Sequence, residues 1–201
     1  MISWFVFDLG NTVIKLAYER VLGNLCRNAK VGRDELVEIL EMPGSYRDLE
    51  RGAMTFANFH EFLRERAGYS GTVHDLEMVW ADFFDGLMPG IEELLERVRR
   101  KYRIAFLSNS NEVHAAVIPK IFPHVFKDDD RFIYSHRFRV AKPDPEMFRR
   151  ALELIGSQPQ DVVFVDDLVE NVLAARSIGI RSFQFTDAPS LVRELERERL
   201  L

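Results

Sequence analysis

Two hydrophobic patterns divide the chain. Short, nearly continuous apolar runs end in polar or turn residues, and longer stretches carry apolar positions every three or four residues. The first run, Ile2 to Phe7, meets Asp8 and then Gly10-Asn11-Thr12, the pattern of a buried strand that delivers an acid to its C-terminal end. From Ile14 to about Gly86 no run reads as a strand. Tyr18, Val21, Leu22 and Leu25 fall at helical spacing, and so do Leu36, Val37, Ile39 and Leu40. Phe56, Phe59, Phe62 and Leu63 follow, then Leu76, Val79, Trp80, Phe83 and Phe84. These predict about four helices, broken at Gly32, at Met42-Pro43-Gly44 and around Gly68 to Gly71, with Asp34 and Thr55 in N-cap positions. The phenylalanine stripe is read as the core of a small bundle.

Beyond Pro89-Gly90 the two patterns alternate. A helix is predicted over Ile91 to Lys101 and a strand over Arg103 to Leu107, ending at Ser108-Asn109. One or two helices precede a strand over Phe132 to Ser135. A helix over Asp144 to Ile155 leads to a strand over Asp161 to Val165, ending at Asp166-Asp167. A helix over Leu168 to Ile178, stopped by Gly179, and a strand over Arg181 to Phe185 complete the series. Strands alternating with helices imply an α/β fold, a parallel sheet with right-handed crossovers and helices on both faces. The expected division is a core of residues 1–14 and 87–201, with an all-helical insertion of residues 15–86 over the strand ends. The hinges are expected near Ile14 to Leu16 and Gly86 to Pro89.

Composition narrows the function classes. Of 201 residues 47% are hydrophobic and 29% charged, enough for a sizeable core. The net charge of −5, with basic residues scattered among acids, argues against nucleic acid as the main partner. One cysteine, Cys26, makes no internal disulfide; it lies among Leu22, Leu25 and Ala29 and is expected in the core. No run approaches membrane-spanning length and no leader is evident, so a cytoplasmic protein is expected, monomeric or homodimeric. The charged run Arg193 to Arg199 is read as a solvated helix face with i,i+4 pairs.

Three strand ends carry chemistry and point the same way: Asp8, Ser108-Asn109 and Asp166-Asp167. In open parallel sheets ligands bind outside those ends. Lys142-Pro143 lies in the loop before the penultimate helix of this alternating series. Three converging carboxylates raise one another's pKa unless a cation compensates. A hard divalent cation suits oxygen ligands, and Mg²⁺ suits a site with few carboxylates and a phosphate to supply another oxygen. Ser108 and Asn109 offer neutral donors, and Lys142 a fixed positive charge for an anion. No zinc-ligand spacing and no glycine-rich phosphate loop is present.

With these residues in order, the chain resembles the phosphatase branch of the haloacid dehalogenase superfamily, with a helical cap in the first insertion position. Phe7 to Thr12, Leu107-Ser108-Asn109, Lys142-Pro143, and Val165-Asp166-Asp167 with Asn171 resemble that family's four motifs. Asp8 to Asn11, Arg20 to Gly23, Ser108 to Asn111 and His114 further resemble the bacterial alpha-D-glucose-1-phosphate phosphatase group. The resemblance implies a Rossmann-like core and hydrolysis of a phosphate monoester of a small metabolite, a sugar 1-phosphate in the narrower form. It implies Asp8 as nucleophile, forming an aspartyl-phosphate, and Mg²⁺ held by Asp8, the Gly10 carbonyl and Asp166, with Asp167 acting through water. Ser108 and Lys142 are implied as phosphate ligands, Lys142 also restraining Asp8, and Asn171 as support for the metal loop.

One departure stands out. Most phosphatases of the family carry a second aspartate two residues after the nucleophile, as acid and base, where this chain has Gly10. The metal site survives that change, but the proton carrier does not, a loss typically of ~10²–10⁴-fold. It matters least for acidic leaving groups. Gly10 is thus the argument for a rival reading, a weakly active or inactive relative that binds a phosphorylated ligand or partner. A second rival, a metal-free 2-haloacid dehalogenase, fits poorly with the Asp166-Asp167 pair. Arg137-Phe138-Arg139 is a lesser departure, since relatives often have glycine near Arg139. His114 lies about one helical turn beyond Asn111, within reach of the site, but is read first as a satisfied surface or capping histidine. Lys15 stands where it could meet a substrate at the hinge but is read first as an exposed lysine. The loop Tyr46 to Arg51 is a candidate for specificity residues.

Overall fold

A computed structural model describes all 201 residues. The chain opens with β1 (Trp4–Phe7) and β2 (Ile14–Leu16), then runs through α1 (Tyr18–Asn28), α2 (Arg33–Glu41), α3 (Tyr46–Glu50), α4 (Phe56–Ala67) and α5 (Val73–Ala81). It returns in β3 (Phe84–Leu87) and alternates thereafter: α6 (Ile91–Arg99), β4 (Arg103–Ser108), α7 (Glu112–Ile121), β5 (Arg131–Tyr134), α8 (Pro145–Ile155), β6 (Val162–Asp166), α9 (Val169–Ser177), β7 (Arg181–Gln184) and α10 (Ala188–Arg197).

The alternating part forms a five-stranded sheet in the order β5-β4-β1-β6-β7, with every pair parallel. Successive side chains of a strand face opposite ways, and both faces here are covered. Phe5 and Phe7 join Val163, Val165 and the apolar sides of α6 and α10. Trp4 and Val6 join Ala105, Leu107 and the apolar side of α8. A strand buried on both faces reads as a continuous apolar run, which is why β1 and β6 were legible. β1 lies in the middle of the sheet and β6 beside it, so Asp8 and Asp166 leave neighbouring strands at the same edge.

The helical block has a core of its own, in which Leu25, Leu36, Leu49, Phe59, Leu63 and Trp80 are among the buried members. Cys26 packs against it, half-buried. Five helices, not four, make up the block. The expected Tyr46 to Arg51 loop is the short helix α3. Thr55 caps α4 as expected, its hydroxyl accepting the Asn58 N–H at 3.2 Å. Asp34 does not cap α2; Gly32 takes that position and Asp34 sits in the first turn, where an acid complements the helix N-terminus.

Where no strand was expected, β2 and β3 pair antiparallel as a two-stranded ribbon at the two crossings between block and sheet. Lys15 lies in it, exposed and ion-paired with Asp85 at 3.0 Å. A second attachment lies nearer the strand ends. The Ser135 hydroxyl donates to the Glu50 carbonyl, and the Phe56 N–H donates to Glu112 at 2.9 Å. Gly52, at φ +66°, lies so close to the His136 carbonyl that a Cβ there would sit 2.0 Å from its oxygen. The C-terminal charged run does not pair within its helix: Glu196 reaches Arg97 of α6 at 2.7 Å, and Glu198 reaches Arg181 of β7. No helix is long and apolar enough to cross a membrane.

Candidate active site

Asp8 and Asp166 end up side by side because β1 and β6 are adjacent and parallel, and Asp167 follows at the turn into α9. One oxygen from each of the three carboxylates lies within 4.8 Å of the others. Thr12, fully buried, joins the two loops by accepting the Asp167 N–H at 3.1 Å. Asp166 is fully buried and densely held. Asn171 Nδ2 donates to both of its oxygens at 2.9 and 3.0 Å, and the Leu168 N–H donates to Oδ1 at 2.9 Å. Asn171 thus stands on α9 where the sequence placed it.

Lys142 answers this acidic group. Its Nζ donates to Asp8 at 2.5 Å and to Asp166 at 2.7 Å. The lysine is placed by Asn109, whose Oδ1 accepts the Lys142 N–H and whose Nδ2 donates to the Lys142 carbonyl, both at 2.8 Å. Asn109 was expected to bind phosphate beside Ser108. Its side-chain amide also holds the lysine's backbone, because β4 ends alongside that loop, and the residue lines the cavity. Ser108, at the end of β4, lines the cavity with its hydroxyl bonded only to the Asn109 carbonyl at 3.2 Å.

One ammonium does not balance three acids. Burial pushes the Asp8 carboxyl up to about 7; Lys142 opposes this, and the charges of Asp166 and Asp167 add to it. Asp167 is likewise raised, by burial first and by Asp166 second. Burial works against the Lys142 ammonium, but Asp166 and Asp8 outweigh it and hold its pKa above the usual lysine value. The donor set therefore fits a hard divalent cation: clustered carboxylate oxygens, a deficit of positive charge, and Gly10 in the cavity wall with a carbonyl that accepts no hydrogen bond.

Gly10 is not the left-handed residue of its loop. That conformation falls on Asn11, at φ 52°, whose Oδ1 accepts the Leu16 N–H at 3.2 Å. At Gly10 a Cβ would approach Leu16 Cδ1 to 2.8 Å, so this position is short of space rather than of backbone freedom.

The cavity above these groups measures about 230 Å³. The helical block closes its far side with Tyr18, Tyr46, Glu50, Phe83 and Phe84. His114, read from sequence as a surface or capping histidine, is buried. Its ring stacks on Trp80 and Phe83, its Nε2 donates to the Trp80 carbonyl at 3.1 Å, and its Nδ1 faces the Asn111 amide at 3.3 Å. Burial lowers its pKa to about 4, so the ring is neutral. Tyr46 and Glu50 are a helical i,i+4 pair of polar residues, which the sequence singled out only as part of a loop.

The family model for haloacid dehalogenase-like hydrolases matches residues 2–179. The chain belongs to that family. It is similar to the D-ribitol-5-phosphate phosphatase of Bacteroides thetaiotaomicron, with 23% identity over 189 residues that cover 92% of each chain. A crystal structure of a haloacid dehalogenase family enzyme from the same organism, in complex with magnesium, superposes with a TM-score of 0.83 at 28% identity, covering 96% of this chain and 98% of that one. The same enzyme with magnesium and inorganic phosphate gives a TM-score of 0.81 at 26% identity, covering 94% and 96%. The parallel sheet flanked by helices is thus the architecture of this hydrolase family, as the four motifs implied. The narrower likeness to glucose-1-phosphate phosphatases is carried by the sequence motifs alone.

Proposed function

We propose that this hydrolase cleaves phosphate monoesters of small, hydroxyl-rich metabolites in a Mg²⁺-dependent reaction through an aspartyl-phosphate. The observation that carries the reading is the convergence of Asp8, Ser108, Lys142 and Asp167 on one cavity, with Lys142 bonded to both Asp8 and the fully buried Asp166, which clusters with the other two acids. Asp8 supplies the attacking carboxylate oxygen. The Ser108 hydroxyl and the Lys142 ammonium meet the phosphoryl oxygens, and Lys142 also fixes the direction of Asp8. Asp8, the Gly10 carbonyl and Asp166 hold Mg²⁺, with Asp167 acting through water and Asn171 orienting Asp166. Bound there, the cation neutralises phosphoryl charge, the principal need in phosphoryl transfer. The helical block, residues 15–86, acts as a cap over the core of residues 1–14 and 87–201 and excludes water from the cavity. Two substrate classes suit a cavity of about 230 Å³: a sugar 1-phosphate, in line with the motifs, and a sugar-alcohol 5-phosphate, in line with the Bacteroides relative.

The experiment is phosphate release from a panel of esters containing both classes, with Mg²⁺ and with chelator, by wild type and Asp8→Asn. Release that requires Mg²⁺ and falls at least about 10³-fold in a folded Asp8→Asn protein is the expected result. Near-normal turnover in that variant, or no release from any ester by wild type, overturns the reading.

A further inference from the structure

Breaking a phosphate ester of an alcohol leaves a strongly basic oxygen, and a positioned acid there is typically worth ~10²–10⁴-fold. Leu9, Gly10 and Asn11, which follow Asp8 in the cavity wall, have no ionisable group. Besides Asp8, six titratable residues line the cavity: Tyr18, Tyr46, Glu50, His114, Lys142 and Asp167. Asp167 belongs to the acidic cluster, and Lys142 is locked between two carboxylates. His114 is neutral, with both ring nitrogens engaged. Burial raises the Tyr18 hydroxyl to about 12 and the Tyr46 hydroxyl well above the usual tyrosine value, too weak to exchange protons readily near neutrality. Glu50 is left.

We propose that Glu50 is the proton carrier of this site, protonating the leaving oxygen and then activating the water that hydrolyses the aspartyl-phosphate. The proposal rests on the phosphatase reading above. In the first half, a carboxylate oxygen of Asp8 bonds to phosphorus, the ester P–O bond breaks, and the Glu50 carboxyl proton passes to the departing alkoxide, which leaves as the alcohol. In the second half, the Glu50 carboxylate takes a proton from water as the water oxygen bonds to phosphorus. The Asp8–phosphorus bond breaks, phosphate departs, and Glu50 is again a carboxyl.

The structure places Glu50 for this task. It lines the cavity from the face opposite the strand ends. The Tyr46 hydroxyl donates to Oε1 at 2.5 Å, and Oε2 takes no bond from the protein. Its backbone does not float with the helical block. The Ser135 hydroxyl holds its carbonyl and accepts the Ser110 N–H, which ties α3 to the ends of β4 and β5. The close approach of Gly52 to the His136 carbonyl fixes the next turn. Burial pushes the carboxyl up to about 7, while the Tyr46 hydrogen bond and the charges of Lys142, Arg47 and Arg51 hold it back. A carboxyl poised near neutrality is suited to giving a proton in one half-reaction and taking one in the next.

Glu50→Gln tests the assignment on two esters, the fastest primary alkyl ester of the panel and p-nitrophenyl phosphate, whose leaving group needs no proton. The value of kcat/KM should fall at least about 10²-fold for the alkyl ester and by less than about threefold for the aryl ester. For the aryl ester kcat should fall, with a burst of one equivalent of p-nitrophenolate, because hydrolysis of the aspartyl-phosphate has lost its base. Tyr46→Phe, which frees the carboxyl without removing it, should show the same selectivity at smaller size, and serves alone if Glu50→Gln does not fold. Equal losses in kcat/KM for the two esters, or no loss for either, overturn the role of Glu50 while leaving the phosphatase reading intact. Failure of wild type to release phosphate, or retained turnover in Asp8→Asn, is the separate failure of that reading.

Discussion

At the scale of single residues, His114 shows how a titratable side chain is made inert. Its Nε2–H is spent on the Trp80 carbonyl, its ring packs against Trp80 and Phe83, and its pKa is lowered to about 4 from the usual 6.5. The folded protein therefore binds fewer protons than the unfolded chain between these two values. Stability from His114 is complete above pH 6.5 and is lost as pH falls through about 4. Asp8 and Glu50, both raised to about 7, act with the opposite sign: their contribution is present at acid pH and lost as pH rises through about 7. A subtraction isolates the histidine. His114→Gln keeps a donor for the Trp80 carbonyl and does not titrate. The stability difference between wild type and His114→Gln, from denaturant unfolding, should shrink by about 3 kcal/mol between about pH 7 and pH 4. A difference that stays constant with pH would show that the ring is not kept neutral.

At the scale of elements, α3 is the piece on which the site's far wall depends, and its attachment makes a specific demand on Gly52. Two effects coincide there, a left-handed backbone and a carbonyl oxygen 2.0 Å from where a Cβ would sit. Gly44, at the other end of α3, has φ +82° with open space around it. Gly44→Ala should cost only the backbone term, about 1 kcal/mol. Gly52→Ala should cost at least about 3 kcal/mol and lower turnover, because α3 must move off His136. Urea midpoints of the two variants decide this, and equal costs would mean that α3 is not clamped. The same element marks where sequence reading stopped. The sheet was legible because strands buried on both faces, such as β1 and β6, are unbroken apolar runs that end in their functional residues. The ribbon was not: Ile14-Lys15-Leu16 is too short to show alternation, β3 contains Gly86, and each strand's partner lies beyond the whole helical block. Asp8, Ser108, Lys142 and Asp166 were legible as strand-end or motif residues. Glu50 was not, since it owes its place to Ser135 and His136. For His114 the satisfied, capping part of the reading holds and the surface part does not, because Trp80 and Phe83 bury it from α5 and the segment after it.

At the scale of the whole molecule, the site is where separate parts of the chain are held together by charge. Asp8 follows β1, Asp166 ends β6 and Asp167 follows it, Asn109 follows β4, and Lys142 arrives on the loop before α8 to bond two of the acids at once. Removing one partner of a buried ion pair leaves the other uncompensated, at about 3–5 kcal/mol. Lys142→Met, which keeps the apolar stem and deletes the charge, should therefore be strongly destabilised in chelator. A cation that binds only the folded protein stabilises it in proportion to the logarithm of its concentration over Kd. With the ammonium gone, the three acids attract Mg²⁺ more strongly, so Mg²⁺ should raise the Tm of Lys142→Met by more than it raises that of wild type. Turnover should not return, because the phosphoryl group has lost its lysine. Sodium chloride at matched ionic strength separates site binding from screening, since a buried cluster is screened little. Asp166→Asn supplies the opposite control: it removes an acid, and its Tm should respond to Mg²⁺ less than that of wild type. An equal Mg²⁺ response in all three proteins, or one reproduced by sodium chloride, would mean that these carboxylates are not where the cation binds.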